Sequence, residues 1–405
     1  MTRHYTTRDF FRQMPNALLA RYFYAHGLFG ELDFASMKEA KPDELFEAWL
    51  ALPDDQRKGM DSEFSSIYEM SCEKGFCAIR DEAGWQLEAE PYKEFVDKLA
   101  ALANHYERAM ATYLDHNECW EGATLFYHAD TLSWWRKRKN LPHQAAAVHE
   151  DGRRELADQI RTYFHHTEGR GNNCVVEAFR RGEQDYFFAY PEDYSQQSIE
   201  WVDGQLGPRP HNPAFEVIYV YTQKEGSLDL NYRGPRKSIE PLQAMFASAI
   251  LKLDELPTDP DDERVYDLSP LLSRDFSFVY DVGSGIQKVA VKKLRLTSRL
   301  KKGDRITLEA DASGDSKAIY DLLDKIGVSL PLYYVTQVEL GASVVLDNAQ
   351  RPKMQPIRIT FPNSCSLKYD ELDLKLRDML ETSGIEPKQP QSELEATEAA
   401  EPADA

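Results

Sequence analysis

The sequence predicts an α+β protein: an N-terminal all-helical domain, then a mainly antiparallel sheet domain of ββα units with helices on one face. Three observations predict it. Residues 8–167 carry apolar side chains at helical spacing. From Asn172 on, the pattern turns to short aromatic and β-branched runs bounded by Gly and Pro. From Ala214 onward, a strand–turn–strand–helix order occurs three times.

The elements follow in order. Pro15 at a first helical position and Gly27 just past the end bracket a helix over Pro15–His26. Pro42 opens a segment with Leu45, Phe46, Trp49 and Leu50 at helical spacing. Pro53-Asp54-Asp55 opens the next, through Phe64, Ile67, Tyr68 and Met70. Tyr92–Leu114 is the longest clean pattern, and Trp120–Lys139 and Glu150–His165 complete six or seven helices. Strands are expected at Cys174–Phe179 and Asp185–Tyr190, joined by the turn Arg180-Arg181-Gly182-Glu183. Residues 191–213, with four Pro, read as a long irregular stretch. The first ββα unit is Phe215–Thr222, Ser227–Tyr232 and a helix over Ser238–Leu253. The second is Val289–Leu296, Arg305–Glu309 and Ser316–Ile326; the third is Tyr334–Leu346, Pro356–Phe361 and Tyr369–Leu380. Their residues do not align well enough to establish duplication.

These elements give a helical domain over 1–168 and two α+β parts over 172–253 and 265–383. Asp254–Glu263, acidic and Pro-bearing, is expected to be a linker or long loop. Residues 386–405 hold six acids, one base, three Pro and no aromatic residue. Such a segment cannot bury enough apolar surface to offset its ordering entropy, so a disordered acidic tail is expected.

Composition narrows the function. The 405 residues hold 48 Lys and Arg against 68 Asp and Glu, a formal net charge of −20. That charge opposes general attraction to nucleic acid or anionic lipid, but not a local basic face. No run approaches the ~20 apolar residues of a membrane span. The start, Met1-Thr2-Arg3-His4-Tyr5, lacks the apolar core of a secretory signal. Five Cys make no disulfide framework and suit a reducing compartment, so a cytoplasmic location is expected.

The sequence lacks the common catalytic signatures. There is no phosphate-binding G-x-x-x-x-G-K-[ST], no H-E-x-x-H and no G-x-S-x-G. Gly283-Ser284-Gly285 reads as a turn, and Gly169 and Gly171 read as the end of a helix. Cys72 and Cys77 lack a second pair, and the adjacent His165 and His166 point about 100° apart on a helix. No metal and no cofactor are expected. Glu177, Asp185, Glu216 and Asp229, with Lys224 nearby, are carboxylates that a hydrolase would need to converge in the fold.

The basic segment is the best local signal. Lys288, Lys292, Lys293, Arg295, Arg299, Lys301, Lys302 and Arg305 fall within eighteen residues, against the single acid Asp304. Val289 and Val291 alternate with bases, then the parity slips to Leu294 and Leu296, as a bulge at Lys292-Lys293 would produce. One strand face would then carry cations at roughly 6.6 Å, twice the strand rise. The row could track phosphates, protect an exposed sheet edge, or dock an acidic protein surface, the chain's own tail included. A second cluster, Arg136, Lys137, Arg138 and Lys139, follows Trp134-Trp135 at an expected helix end, where cations are favoured anyway. Tyr194, Trp201, His211 and Tyr219 are the candidate lining of a pocket beside the 191–213 stretch.

The expectation is therefore a non-enzymatic cytosolic interaction protein, working with a protein partner in a larger assembly through segregated acidic and basic surfaces. A nucleic-acid-binding or processing component using residues 288–305 and 136–139 is the alternative. A metal-dependent hydrolase is the third.

Overall fold

The computed structural model describes residues 4–202, 204–257, 265–301, 303–345 and 352–386. Residues 258–263 of the expected linker, Lys302 of the basic segment and 387–405 of the expected tail lie outside these. The fold is α+β, and packing divides it into two compact units. The first gathers the described residues up to Leu132 together with Ala178–Tyr186. The second gathers Ser133–Glu177 and the described residues from Phe187 onward.

The first unit holds α1 (Thr7–Gln13), α2 (Asn16–Ala25), α3 (Asp43–Leu50), α4 (Asp54–Met70), α5 (Glu73–Gln86), α6 (Ala89–Ala100), α7 (His105–Asp115) and α8 (Trp120–Thr131). Pro15, Pro42 and Pro53 immediately precede α2, α3 and α4, where a missing N–H costs nothing. Its core is aromatic. Phe64 stacks on Phe10 at 4.8 Å, and Phe11 meets Trp49 edge-on at 5.8 Å. Arg181 is buried with Asp130 at 2.9 Å and Asp81 at 2.8 Å, which ties Ala178–Tyr186 to this unit.

The second unit holds β1 (Trp135–Arg138), α9 (Glu150–Glu168), β2 (Cys174–Arg181) and β3 (Gln184–Pro191), whose turn ends count with the helices. Then come β4 (Gln196–Val202), β5 (Gln205–His211), β6 (Val217–Thr222), β7 (Ser227–Tyr232) and α10 (Ile239–Ala249). The chain closes with β8 (Ile286–Ser298), β9 (Arg305–Glu309), α11 (Ala318–Ile326), β10 (Tyr333–Val344), β11 (Lys353–Thr360), β12 (Ser364–Cys365) and α12 (Glu371–Thr382). Ten strands form one sheet in the order β2-β3-β6-β7-β1-β12-β11-β10-β8-β9; β4 and β5 form a separate ribbon. The strand–strand–helix order occurs at β6-β7-α10 and β8-β9-α11, and in the third unit the short β12 comes between β11 and α12.

Side-chain alternation gives the sheet two faces. Leu294, Val338, Ile359, Cys365 and Trp135 share one face, the first four in the core with Ile319 of α11 and with Leu376 and Met379 of α12. The opposite face is covered by α10 over β6, β7 and β1: Tyr219 stacks on Phe246 at 5.1 Å, and Arg138 reaches Gln243 at 3.0 Å. Toward β11, β10, β8 and β9 that second face carries mainly polar residues, exposed on β9 and β11 and mostly half-buried on β8 and β10, with Ala290, Gly341 and Met354 among them.

Four expectations change. Trp120–Lys139 is not one helix. It stops at Thr131, and Trp135–Arg138 is an internal strand between β7 and β12. Tyr92–Leu114 is two helices, because Asn104 caps α7 by accepting from the Tyr106 and Glu107 amides at 2.9 and 3.0 Å. Residues 191–213 are largely the β4–β5 ribbon, turning at Gly204 with φ +73°. Glu386 does not belong to a solvated tail, since it is buried against Lys137 at 2.8 Å.

Candidate functional site

The basic segment begins β8, and its charges are sorted by the pleat. The bulge falls where the parity slips. Lys293 pairs with Glu339 and Val291 with Leu340, leaving Lys292 as the extra residue. Val291, Leu294 and Leu296 therefore stay in the core, while Lys293 and Arg295 point to the uncovered face. The Lys292 stem joins them there: a Cβ on Gly341 would lie 2.9 Å from its Cε. Over Lys293–Thr297 β8 is paired on both sides, to β10 and β9, so Lys293 and Arg295 do not protect a sheet edge, whereas Lys288 lies where β8 pairs with β10 alone and Arg305 lies on the edge strand β9.

The registers define rows across the open face. One row is Glu309–Lys293–Glu339–Arg358, with Lys293 to Glu309 at 3.2 Å and Arg358 to Glu339 at 3.0 Å. These alternating signs neutralise one another. The next row is Thr307–Arg295–Gln337–Thr360–Ser364–Arg136. It joins a residue of each expected basic cluster on one face. At ~4.8 Å per strand, four strand steps put Arg295 and Arg136 roughly 19 Å apart. Among the described residues of β8–β11, this face carries Lys288, Lys292, Lys293, Arg295, Arg305 and Arg358 against Glu309 and Glu339. Arg299 and Lys301 lie beyond the strand end. The Arg299 guanidinium sits 5.6 Å from the Tyr334 ring, and Lys301 is 3.7 Å from Asp304.

The row ends in a cavity of about 630 Å³. Trp134, Arg136, Arg236, Lys237, Phe361 and Asn363 line it, with Ile239 and Glu240 from the first turn of α10 and Thr360, Pro362 and Ser364 from the sheet side. Trp134 is 64% exposed and holds a left-handed backbone, φ +72°. A bulky residue rarely adopts that conformation. Arg236 and Lys237 lie in the short turn that leads through Ser238 into α10, where the helix dipole disfavours cations. Both features depart from local conformational and electrostatic preference.

The rest of the second cluster faces elsewhere. Alternation sends Lys137 and Lys139 to the α12 side. The Lys137 ammonium is 2% exposed, bound to Glu386 and Glu225 at 2.8 Å each, and Lys139 is 3.6 Å from Glu386. Arg138 is buried, donating to Gln243 and to the Pro257 carbonyl at 2.9 Å. Lys137 and Arg138 thus belong to the interior and not to a contact surface. Burial opposes the Lys137 charge, but Glu386 and Glu225 outweigh it and hold its pKa well above the ordinary value. Burial likewise opposes the Glu386 charge, yet Lys137, Arg377 and Lys139 push that carboxyl down to about 2.

No protein-family model matches the chain, and no curated protein matches it. The reading rests on this geometry.

The other expected sites are not assembled. Tyr219 is buried, donating to the Leu242 carbonyl at 3.2 Å. Trp201 and His211 lie on opposite faces of the β4–β5 ribbon, and Tyr194 donates to Glu168 O at 2.5 Å. They do not form one pocket. Two of the four carboxylates are engaged by neighbours within their own units. Asp229 is buried and accepts from the Tyr369 hydroxyl, and Asp185 lies 3.8 Å from Arg180. Burial raises the pKa of both. Among the described residues, no group of three His, Cys, Asp or Glu could hold a metal ion. No described helix is long and apolar enough to cross a membrane. Sequence reasoning missed Arg236, Lys237 and Arg358. The Arg-Lys pair ahead of a helix was the available signal.

Proposed function

We propose that this chain is a binding component of a larger assembly and that its open sheet face receives single-stranded nucleic acid. One observation carries the reading. Arg295 and Arg136, from the two basic clusters, fall on one registered row of hydrogen-bonding side chains. Arg305 borders that row on one side; on the other lies the paired Glu309–Lys293–Glu339–Arg358 row, with Lys292 over Gly341 one row further and Lys288 opposite Ser343 beyond it. Short side chains at Thr307, Thr360 and Ser364 keep that row low, so a backbone can approach the guanidinium groups. Single strands suit it better than duplexes. A basic row with an exposed aromatic ring at its end offers both phosphate contacts and stacking, which a duplex with its bases inside does not use.

The test is fluorescence anisotropy with a labelled single-stranded 12-mer at several salt concentrations. Lys292→Glu with Arg295→Glu should weaken binding at least roughly tenfold and flatten the salt slope. An acidic polyglutamate peptide is the control. If it binds as tightly as the 12-mer with the same sensitivity to the double variant, the face is a protein-docking surface and the nucleic-acid reading fails.

A further inference from the structure

The cavity at the end of the row is more selective than a phosphate track requires. It combines a ring free to stack, three cationic side chains, and hydrogen-bonding groups in a volume of about 630 Å³, larger than one nucleotide. Resting on the reading above, we propose that this cavity is a nucleotide subsite. It seats one base against Trp134, with the phosphate held by Arg136, Arg236 and Lys237.

The chemistry fits each part. Trp134 stands 64% exposed at the rim and holds a left-handed backbone that glycine would adopt without strain. An indole face stacks on any base and gains further from nearby guanidinium groups. Arg236 and Lys237 add positive charge at the N-terminal end of α10, which itself favours an anion. Among the described residues, Glu240 is the one carboxylate lining the cavity, and Asn363 offers an amide. Those two groups can accept from and donate to a base edge or a sugar hydroxyl, which a site for inorganic phosphate alone would not need. The ligand class is therefore a nucleoside phosphate, as the end or one unit of a strand.

The experiment measures adenosine 5′-monophosphate by calorimetry and a terminally labelled 2-aminopurine 12-mer by fluorescence, on the full chain. Trp134→Gly removes the ring and relaxes the backbone. It should keep or raise the Tm while weakening the mononucleotide at least tenfold and abolishing terminal 2-aminopurine quenching. Arg236→Gln with Lys237→Gln should also weaken the mononucleotide about tenfold, with inorganic phosphate competing in the parent protein. Lys292→Glu with Arg295→Glu should leave mononucleotide binding unchanged. Parent-like mononucleotide binding in both cavity variants, or no binding by the parent at millimolar concentration, overturns the subsite even if the 12-mer still binds the sheet face. Trp134-dependent mononucleotide binding with a 12-mer indifferent to the β8 variant supports the subsite and overturns the sheet-face reading.

Discussion

At the residue scale, the strongest charges in the sheet unit serve the fold. Lys137 is held by Glu386 and Glu225, and Glu386 also faces Lys139 and, at 3.9 Å, Arg377. Arg377 in turn donates to the Leu367 and Lys368 carbonyls at 2.9 and 3.0 Å. Removing one partner of such a buried pair leaves an uncompensated charge and costs about 3–5 kcal/mol. Glu386→Gln should therefore lower stability by that order in chemical denaturation. Lys137→Met with Glu386→Leu should recover only part of it, because Arg377 and Lys139 remain. The pH dependence has a definite sign. The Glu386 carboxyl is lower in the folded state, about 2 against an ordinary 4.5. Its stabilisation is present above pH 4.5 and is lost as pH falls from there toward 2. Glu386→Gln should flatten the acid limb over that range, and an unchanged limb would show that other carboxylates govern it. None of this was legible in the sequence. Arg136–Lys139 looked like four equivalent cations, and only an alternating backbone separates Arg136 from Lys137.

At the element scale, β8 was the most legible part of the fold. Its parity slip announced a bulge, and the register places the extra residue at Lys292. The bulge keeps Val291 and Leu294 on the core side while Lys292 and Lys293 both reach the open face. Deleting Lys292 restores plain alternation and leaves Val291 opposite Leu340. Deleting Arg295 brings Leu294 and Leu296 together and forces a core residue outward. The first variant should melt within a few degrees of the parent. The second should lose at least about 2–5 kcal/mol, the cost of one emptied leucine site. Equal melting of the two would mean that β8 slips freely against β10. The ribbon β4–β5 was illegible for the opposite reason. Pro208 and Pro210 argue against a strand, yet they stand two residues apart in a two-stranded ribbon. There every second N–H points away from the partner, so both prolines are tolerated. The β1 strand was hidden because Trp134-Trp135 continues the apolar pattern of α8, and four residues are too few to show a period of two.

At the scale of the whole molecule, the net charge of −20 is the background against which the open face must work. Charge segregation was readable from residues 288–305, but which face they occupy depends on pairing with β10 and β9. The two contributions act over different ranges. The acidic body repels a polyanion at long range, and this repulsion is screened beyond about 8 Å at physiological salt. The cations of the open face act on contact. Equilibrium affinity for a single strand should therefore fall with salt, with a slope near −3.5 if about five phosphates are contacted. The association rate constant should instead rise as salt is first added, because screening removes the repulsion before contact is made. Stopped-flow mixing with a labelled 12-mer separates the two. The rise should survive Lys292→Glu with Arg295→Glu, since it comes from the body, while dissociation quickens. An association rate that drops steeply with salt from the outset would mean that the face steers the strand from a distance, and that the acidic body does not set the encounter.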